Sequence, residues 1–408
     1  MRYWLLIVLL AGFNLTAADN WPQWRGPNRD GAAPSFRGPA AWPEKLQTKW
    51  KITVGEGHSS PIIGDGRIFE FARLDGRETL SAIDPATGKV LWTQSYDAPY
   101  TMNIAAWSHG KGPKSTPVYA NGRVFTFGIS GVLSSFAASD GKLVWRKEFS
   151  KVFKNTSPDF GVAMSPIVWE GLLIAHVGGD KSGALTAFDA VTGEEKWRWN
   201  GDGPAYASPV VSVFDGVPHL ITFSQKSVLA VHASTGQLLW QIPYMTPYEE
   251  NNITPLLVNG TLILSGLDAG VKAVRPVLKN GAWTCETLWE TKAASFSMNT
   301  PVLARTGLVI GFSHKNKGQV VAIDPKTGAV EWSGKPRQGD NASIVIGAGV
   351  VLVLTSESEM TVLREDAKKF ETVRVYTVAD SAVWAHPLPL ESGIVVKDAK
   401  TLALLSWN

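Results

Sequence analysis

The sequence predicts an all-β chain: an eight-bladed β-propeller of four-stranded antiparallel blades, closed by pairing an N-terminal strand with the C-terminal blade. Three observations carry this expectation. The pattern Ala-x-Asp-x-x-Thr-Gly-x-x-x-Trp occurs three times, through Asp84, Gly88 and Trp92, through Asp189, Gly193 and Trp197, and through Asp324, Gly328 and Trp332. A hydroxyl residue followed by proline opens an apolar run at Ser60, Thr116, Ser165, Ser208, Thr254 and Thr300. Ser343 and His386 fill the remaining slots, so eight openings recur at intervals of 43 to 56 residues. Between opening and turn lies a second apolar run, such as Arg67 to Phe71 or Arg123 to Phe127, which gives about four short strands per unit, the content of one blade.

Within each full copy the turn has a specific chemistry. A carboxylate at Asp84 can accept hydrogen bonds from the backbone N–H groups just ahead of it, and Gly88 supplies a positive φ that β-branched residues resist. Worn copies run from Gly141 to Trp145 and from Gly236 to Trp240. Composition agrees with one large β domain: 408 residues hold 39 Gly, 24 Pro and 17 Trp, with charged residues at 18% against a usual ~25%.

Taken in order, residues 1–18 read as a secretory signal, in which Arg2 precedes an apolar run from Tyr3 to Phe13 and small residues come after it at Thr16, Ala17 and Ala18. The run is short of the ~20 residues a bilayer span requires, and no cysteine stands after it for lipid attachment. The mature chain is therefore expected to be exported, periplasmic or secreted, soluble, not a lipoprotein, and without an integral membrane segment. Residues 19–45 form a strap, expected to be ordered because Trp21 and Trp24 among prolines and glycines would dock on the body. Residues 46–408 form the propeller. Its C-terminal end offers only three strands, Leu388 to Glu391, Gly393 to Lys397 and Leu402 to Trp407, and the strand Thr48 to Val54 can supply the fourth. A formal charge of +3 is too slight to imply nucleic acid or an anionic membrane as partner, and a monomer is expected. Cys285 stands alone, so no internal disulfide forms and a small buried hydrophobe is its expected role.

With these motifs the chain resembles the pyrroloquinoline-quinone-like (PQQ-like) propeller repeats of the quinoprotein alcohol dehydrogenase-like superfamily, and it is similar to the outer-membrane-protein assembly propeller. The resemblance spans nearly all of the chain after the leader. It implies that the motif tryptophan docks on the neighbouring blade, a role carried over to Trp92, Trp197 and Trp332, and through worn copies to Trp145, Trp240 and Trp289. The motif departs at Ala137, His232 and Arg275 and is nearly lost in the last two blades. For the family's dehydrogenases the resemblance implies a quinone over calcium, an aspartate base and adjacent cysteines. Here a single cysteine, the lack of long inter-blade insertions and the lack of a carboxylate cluster at the openings speak against that chemistry. Glu249-Glu250-Asn251-Asn252 is the nearest oxygen-rich run, with Asp159 isolated. The seven histidines show no metal-ligand spacing, and Gly110 to Ser115 lacks the spacer of a phosphate loop. No catalytic residue, metal ligand or cofactor is expected, with PQQ and calcium as the alternative.

Function then rests on the funnel where the openings converge. His58, Ser59, Lys114, Tyr206, Asn252, Asn299 and His386 are its candidate residues, able to cradle a small polar ligand or a peptide terminus, against a competing reading of ordered water filling the channel. Trp107, Phe153 and Phe160 are expected to place aromatic surface at the rim, a composition suited to protein contacts. The expected function is an exported, non-catalytic binding or scaffold propeller whose partner, a protein or a small polar ligand, meets the funnel face. A PQQ- and calcium-dependent quinoprotein dehydrogenase and a carbohydrate-binding propeller are the alternatives.

Overall fold

The computed structural model describes residues 20–407, so the expected leader at 1–18 lies outside the described residues. Eight antiparallel sheets succeed one another around a ring. Blade 1 consists of Ile62–Gly64, Arg67–Leu74, Arg77–Ile83 and Val90–Tyr96, and blades 2 to 8 have their strands within 118–147, 167–199, 210–243, 256–291, 302–333, 342–377 and 388–406. The middle strands of blade 1 are buried on both faces, because each blade is sandwiched between two others, and they therefore read as apolar runs rather than as a clean alternation. The outermost strand, by contrast, is largely exposed. Core clusters draw on adjacent blades: Phe69, Phe71 and Leu80 of blade 1 pack with Val124 and Phe136 of blade 2. The ring closes as the sequence predicts, since Gln47–Thr53 pairs antiparallel with Thr401–Ser406 and so completes blade 8. Among the described residues no helix is long and apolar enough to cross a membrane.

The recurring turn works across blades. Asp84 Oδ1 accepts from the N–H groups of Ala86 and Thr87 at 3.0 and 2.8 Å, and Asp189 and Asp324 repeat the pattern on Val191, Thr192 and Lys326. Gly88 has φ +71, and a Cβ there would lie 2.7 Å from the ring of Trp50 in the preceding blade. The same indole donates to Pro85 O at 2.9 Å. Trp92, Trp145, Trp197 and Trp289 repeat this clasp on Ala138, Ala190, Ala233 and Pro325 of the next blade. Trp240 and Trp332 depart from it, for their buried indole N–H groups find no acceptor among the described residues. The next blade in each case lacks the Asp-x-x-Thr-Gly turn that would lie beneath the ring. Between blades 4 and 5 a long hairpin, Gly270–Lys279 with Ala282–Thr291, replaces it and lays Trp283 against His219 at 4.4 Å. Between blades 6 and 7 the Trp332 ring meets Phe370 at 6.2 Å.

Candidate functional site

The ring leaves an axial channel, and residues 20–36 plug one end of it. Trp21 and Ile63 of blade 1 exchange backbone hydrogen bonds, Pro22 O accepts from Tyr119 N–H of blade 2, and Ala32–Ala33 pairs in parallel with blade 7. Trp24 donates to the Thr254 hydroxyl of blade 5 at 3.0 Å and meets His386 of blade 8 edge-on at 4.5 Å. Two buried arginines fasten the plug. Arg25 donates to Thr300 O and Pro301 O of blade 6 at 2.8 and 2.7 Å, and Arg29 to Ser165 O and Pro166 O of blade 3 at 2.8 and 2.9 Å. Neither forms an ion pair among the described residues. Burial lowers their pKa values, to about 10 and about 9, which leaves both guanidinium groups charged at neutral pH and held by carbonyl oxygens.

Above this floor lies a cavity of about 260 Å³. Every blade contributes to its wall the residue two positions before its opening residue. Blades 1 to 4 give His58, Lys114, Ala163 and Tyr206, and blades 5 to 8 give Asn252, Met298, Asn341 and Trp384. Side chains of an extended segment alternate in direction, so positions two apart share a face. For the same reason the openings Ser208, Thr254 and Thr300 also reach the cavity.

That register sorts the seven candidate residues. His58, Lys114, Tyr206 and Asn252 line the cavity together. Ser59 and Asn299 are corrections: standing one position before an opening, they turn into the packing between strands. Ser59 is wholly buried, and the Asn299 side chain bonds the backbone of Phe312, accepting from its N–H at 3.2 Å and donating to its O at 2.7 Å. His386 is a third correction, since its ring is buried against Trp24 rather than open to the cavity. Sequence reasoning missed Trp24, His109, Asn341 and Trp384 and noted Glu250 only as part of an oxygen-rich run; for Asn341 and Trp384 the two-residue register was the available signal.

Charge in the cavity is sparse. Lys114 Nζ donates to Phe160 O at 2.7 Å, and burial pulls its pKa down to about 8 while the Glu250 carboxylate opposes the shift. Burial raises the Glu250 carboxyl, with Lys114 opposing. His58 is neutral, because burial, with the His109, Lys114 and Lys397 charges adding, lowers its pKa to about 3, and its Nε2–H donates to His109 O at 2.9 Å. His109 sits in the short 3-10 turn Ile104–His109, which covers part of the cavity and stacks edge-on against Trp384 at 4.7 Å. The outer side of that turn is apolar and open: Trp107 is 72% exposed and Ile104 85%, while Tyr248, between blades 4 and 5, is 80% exposed. Of the other expected rim aromatics, Phe160 lines the cavity and Phe153 packs partly buried against Phe149.

Calcium does not fit this lining. The ion takes six to eight oxygens and favours carboxylates, whereas the cavity offers one carboxylate beside an ammonium, and no group of three or more His, Cys, Asp or Glu suited to a metal occurs among the described residues. Cys285 lies on the outer hairpin of blade 5, partly buried in the packing between blades 4 and 5, and burial pushes its thiol up to about 12.

A protein-family model described as "Outer membrane protein assembly factor BamB" matches residues 76–334 and 274–367. The chain is 21% identical over 303 residues to outer membrane protein assembly factor BamB of Shewanella oneidensis, covering 70% of each chain. To the dehydrogenase subunit of the quinone alcohol dehydrogenase of Komagataeibacter europaeus it is 33% identical over 164 residues, 38% of this chain and only 21% of that one. Among solved structures, quinohemoprotein alcohol dehydrogenase from Comamonas testosteroni aligns with a TM-score of 0.67 at 15% identity, over 95% of this chain and 80% of the other. BamB from Moraxella catarrhalis aligns with a TM-score of 0.61 at 14% identity, over 88% of this chain and 99% of the other. At such identities the structural likeness speaks for the fold alone.

Proposed function

Given that the chain belongs to the PQQ-like propeller family whose model is described as outer membrane protein assembly factor BamB, we propose that it is an exported, non-catalytic binding propeller that docks a protein partner on its funnel face. One observation carries the reading. Next to the lining residues Ala105, Ala106 and Glu250, the side chains of Ile104, Trp107 and Tyr248 stand exposed to solvent, and no metal-binding cluster occurs among the described residues. Exposed aromatics around a rigid concavity are the composition of contact hot spots. The closed floor directs any partner to the mouth. The name of the family model points to work at the cell envelope.

A photoreactive amino acid placed at position 107 or 248 tests this in living cells. One reproducible cross-linked partner, lost when the other of the two positions is changed to alanine, is the expected result. Absence of any cross-link at both positions, together with dye-linked alcohol oxidation by the purified protein supplied with PQQ and calcium, overturns it in favour of a dehydrogenase.

A further inference from the structure

The axial cavity holds two opposite charges, Lys114 and Glu250, that form no ion pair among the described residues. Lys114 uses one of its three ammonium donors, on Phe160 O, and that bond fixes the head group. The Glu250 carboxylate accepts no hydrogen bond and joins no ion pair within 4.0 Å among the described residues, although it and Lys114 lie within electrostatic reach of one another. Half-buried charges without partners are costly, and a ligand that completes both recovers that cost. The rest of the lining is neutral. His58 carries no charge, Asn252 and Asn341 add amides, and Trp24, Tyr206 and Trp384 supply aromatic walls.

We propose that this cavity binds a small zwitterion of the α-amino-acid class, with its carboxylate on Lys114, its ammonium on Glu250 and an apolar side chain against the aromatic walls. A polyanion meets repulsion from Glu250, and a divalent cation meets it from Lys114. At about 260 Å³ the space lies just below the ~300 Å³ at which drug-sized pockets begin, which suits a ligand of one residue. A free amino acid satisfies both charges, whereas a chain terminus satisfies one. The inference goes beyond protein docking at the rim and does not depend on it.

Isothermal titration of the purified protein with L-phenylalanine tests it, alongside N-acetyl-L-phenylalanine, which lacks the ammonium, and L-phenylalanine amide, which lacks the carboxylate. Saturable one-to-one binding of the free amino acid is expected, with each capped analogue about tenfold weaker or worse. Glu250→Gln should erase the preference for the free over the acetylated form without lowering the melting temperature, since its carboxylate makes no bond among the described residues and its burial is a cost to the fold. Lys111→Gln, at an exposed neighbour, should bind as the wild type does. No binding of L-phenylalanine or L-leucine at millimolar concentration overturns the proposal. So does equal binding of the acetylated form to the wild type, which would mean that only a carboxylate is read, as at a chain terminus. Cross-linking at 107 without amino-acid binding removes this inference and leaves rim docking standing; the reverse pattern removes rim docking and leaves this one.

Discussion

The two ends of the propeller axis are built from similar parts put to opposite use. At the floor, Arg25 and Arg29 spend their terminal nitrogens on the carbonyls of two blade openings, and the Trp24 indole closes on Thr254. At the other end, Lys114 uses one donor, the Glu250 carboxylate accepts no hydrogen bond among the described residues, and Ile104, Trp107 and Tyr248 face solvent. Both ends carry cations and indoles. What separates them is whether backbone oxygen or open space lies within reach, and that difference suits the floor to stability and, on the proposed reading, the mouth to recognition.

Substitutions at the two ends should therefore differ in kind. Arg25→Ala leaves Thr300 O and Pro301 O buried without their donor and should cost about 3 kcal/mol in urea unfolding; a loss below about 1 kcal/mol would erase the distinction between the ends. Two glycines of blade 4 calibrate what tight packing alone is worth. Gly236 and Gly216 share a left-handed φ of +73 and +77, but a Cβ on Gly236 would overlap the Trp197 ring while one on Gly216 meets nothing within 4 Å. Gly236→Ala should be more destabilising than Gly216→Ala by about 2 kcal/mol, and equal losses would mean that strain alone, not the clasp, requires glycine there. Trp24→Phe keeps the ring on His386 and forfeits the bond to Thr254, for an expected loss of about 1 kcal/mol.

Lys114→Met is the sharpest contrast, because it should act in the opposite direction. It removes a buried ammonium held by a single hydrogen bond and should leave stability at pH 7 equal to the wild type or up to about 1 kcal/mol above it. Its pH dependence carries a definite sign. The folded pKa of Lys114, about 8, lies below its ordinary 10.5, so between those values the unfolded chain binds more protons and wild-type stability rises with pH. Melting curves from pH 7 to 10.5 should show that rise in the wild type and a weaker one in the methionine variant; parallel curves would place Lys114 in solvent rather than in the cavity.

The ring was legible because its signals are local: a turn that needs Asp84 and Gly88 within five residues, an opening that needs Ser or Thr before proline, and a first strand that matches a blade one strand short. The clasp was half legible. Trp197 shows in its own blade, but its acceptor Ala233 and the glycine beneath its ring stand in the next one, so the cause of the lost bond at Trp240 and Trp332 lies in blades 5 and 7 rather than beside either indole. In the site, proximity to an opening was too coarse a rule. Asn299 and Ser59 are as near as Met298 and His58, yet the alternation of an extended chain turns them away. Arg25 and Arg29 gave no signal as anchors, because their partners are backbone carbonyls more than a hundred residues distant and carbonyls leave no mark in a sequence.

The most direct measurement is the melting temperature of the purified protein with and without PQQ and Ca2+. A binding propeller whose cavity offers one carboxylate beside an ammonium should melt at the same temperature in both conditions. A ligand at 100 times its dissociation constant would contribute about 2.7 kcal/mol, so a reproducible rise of several degrees at saturating cofactor would contradict the non-catalytic reading.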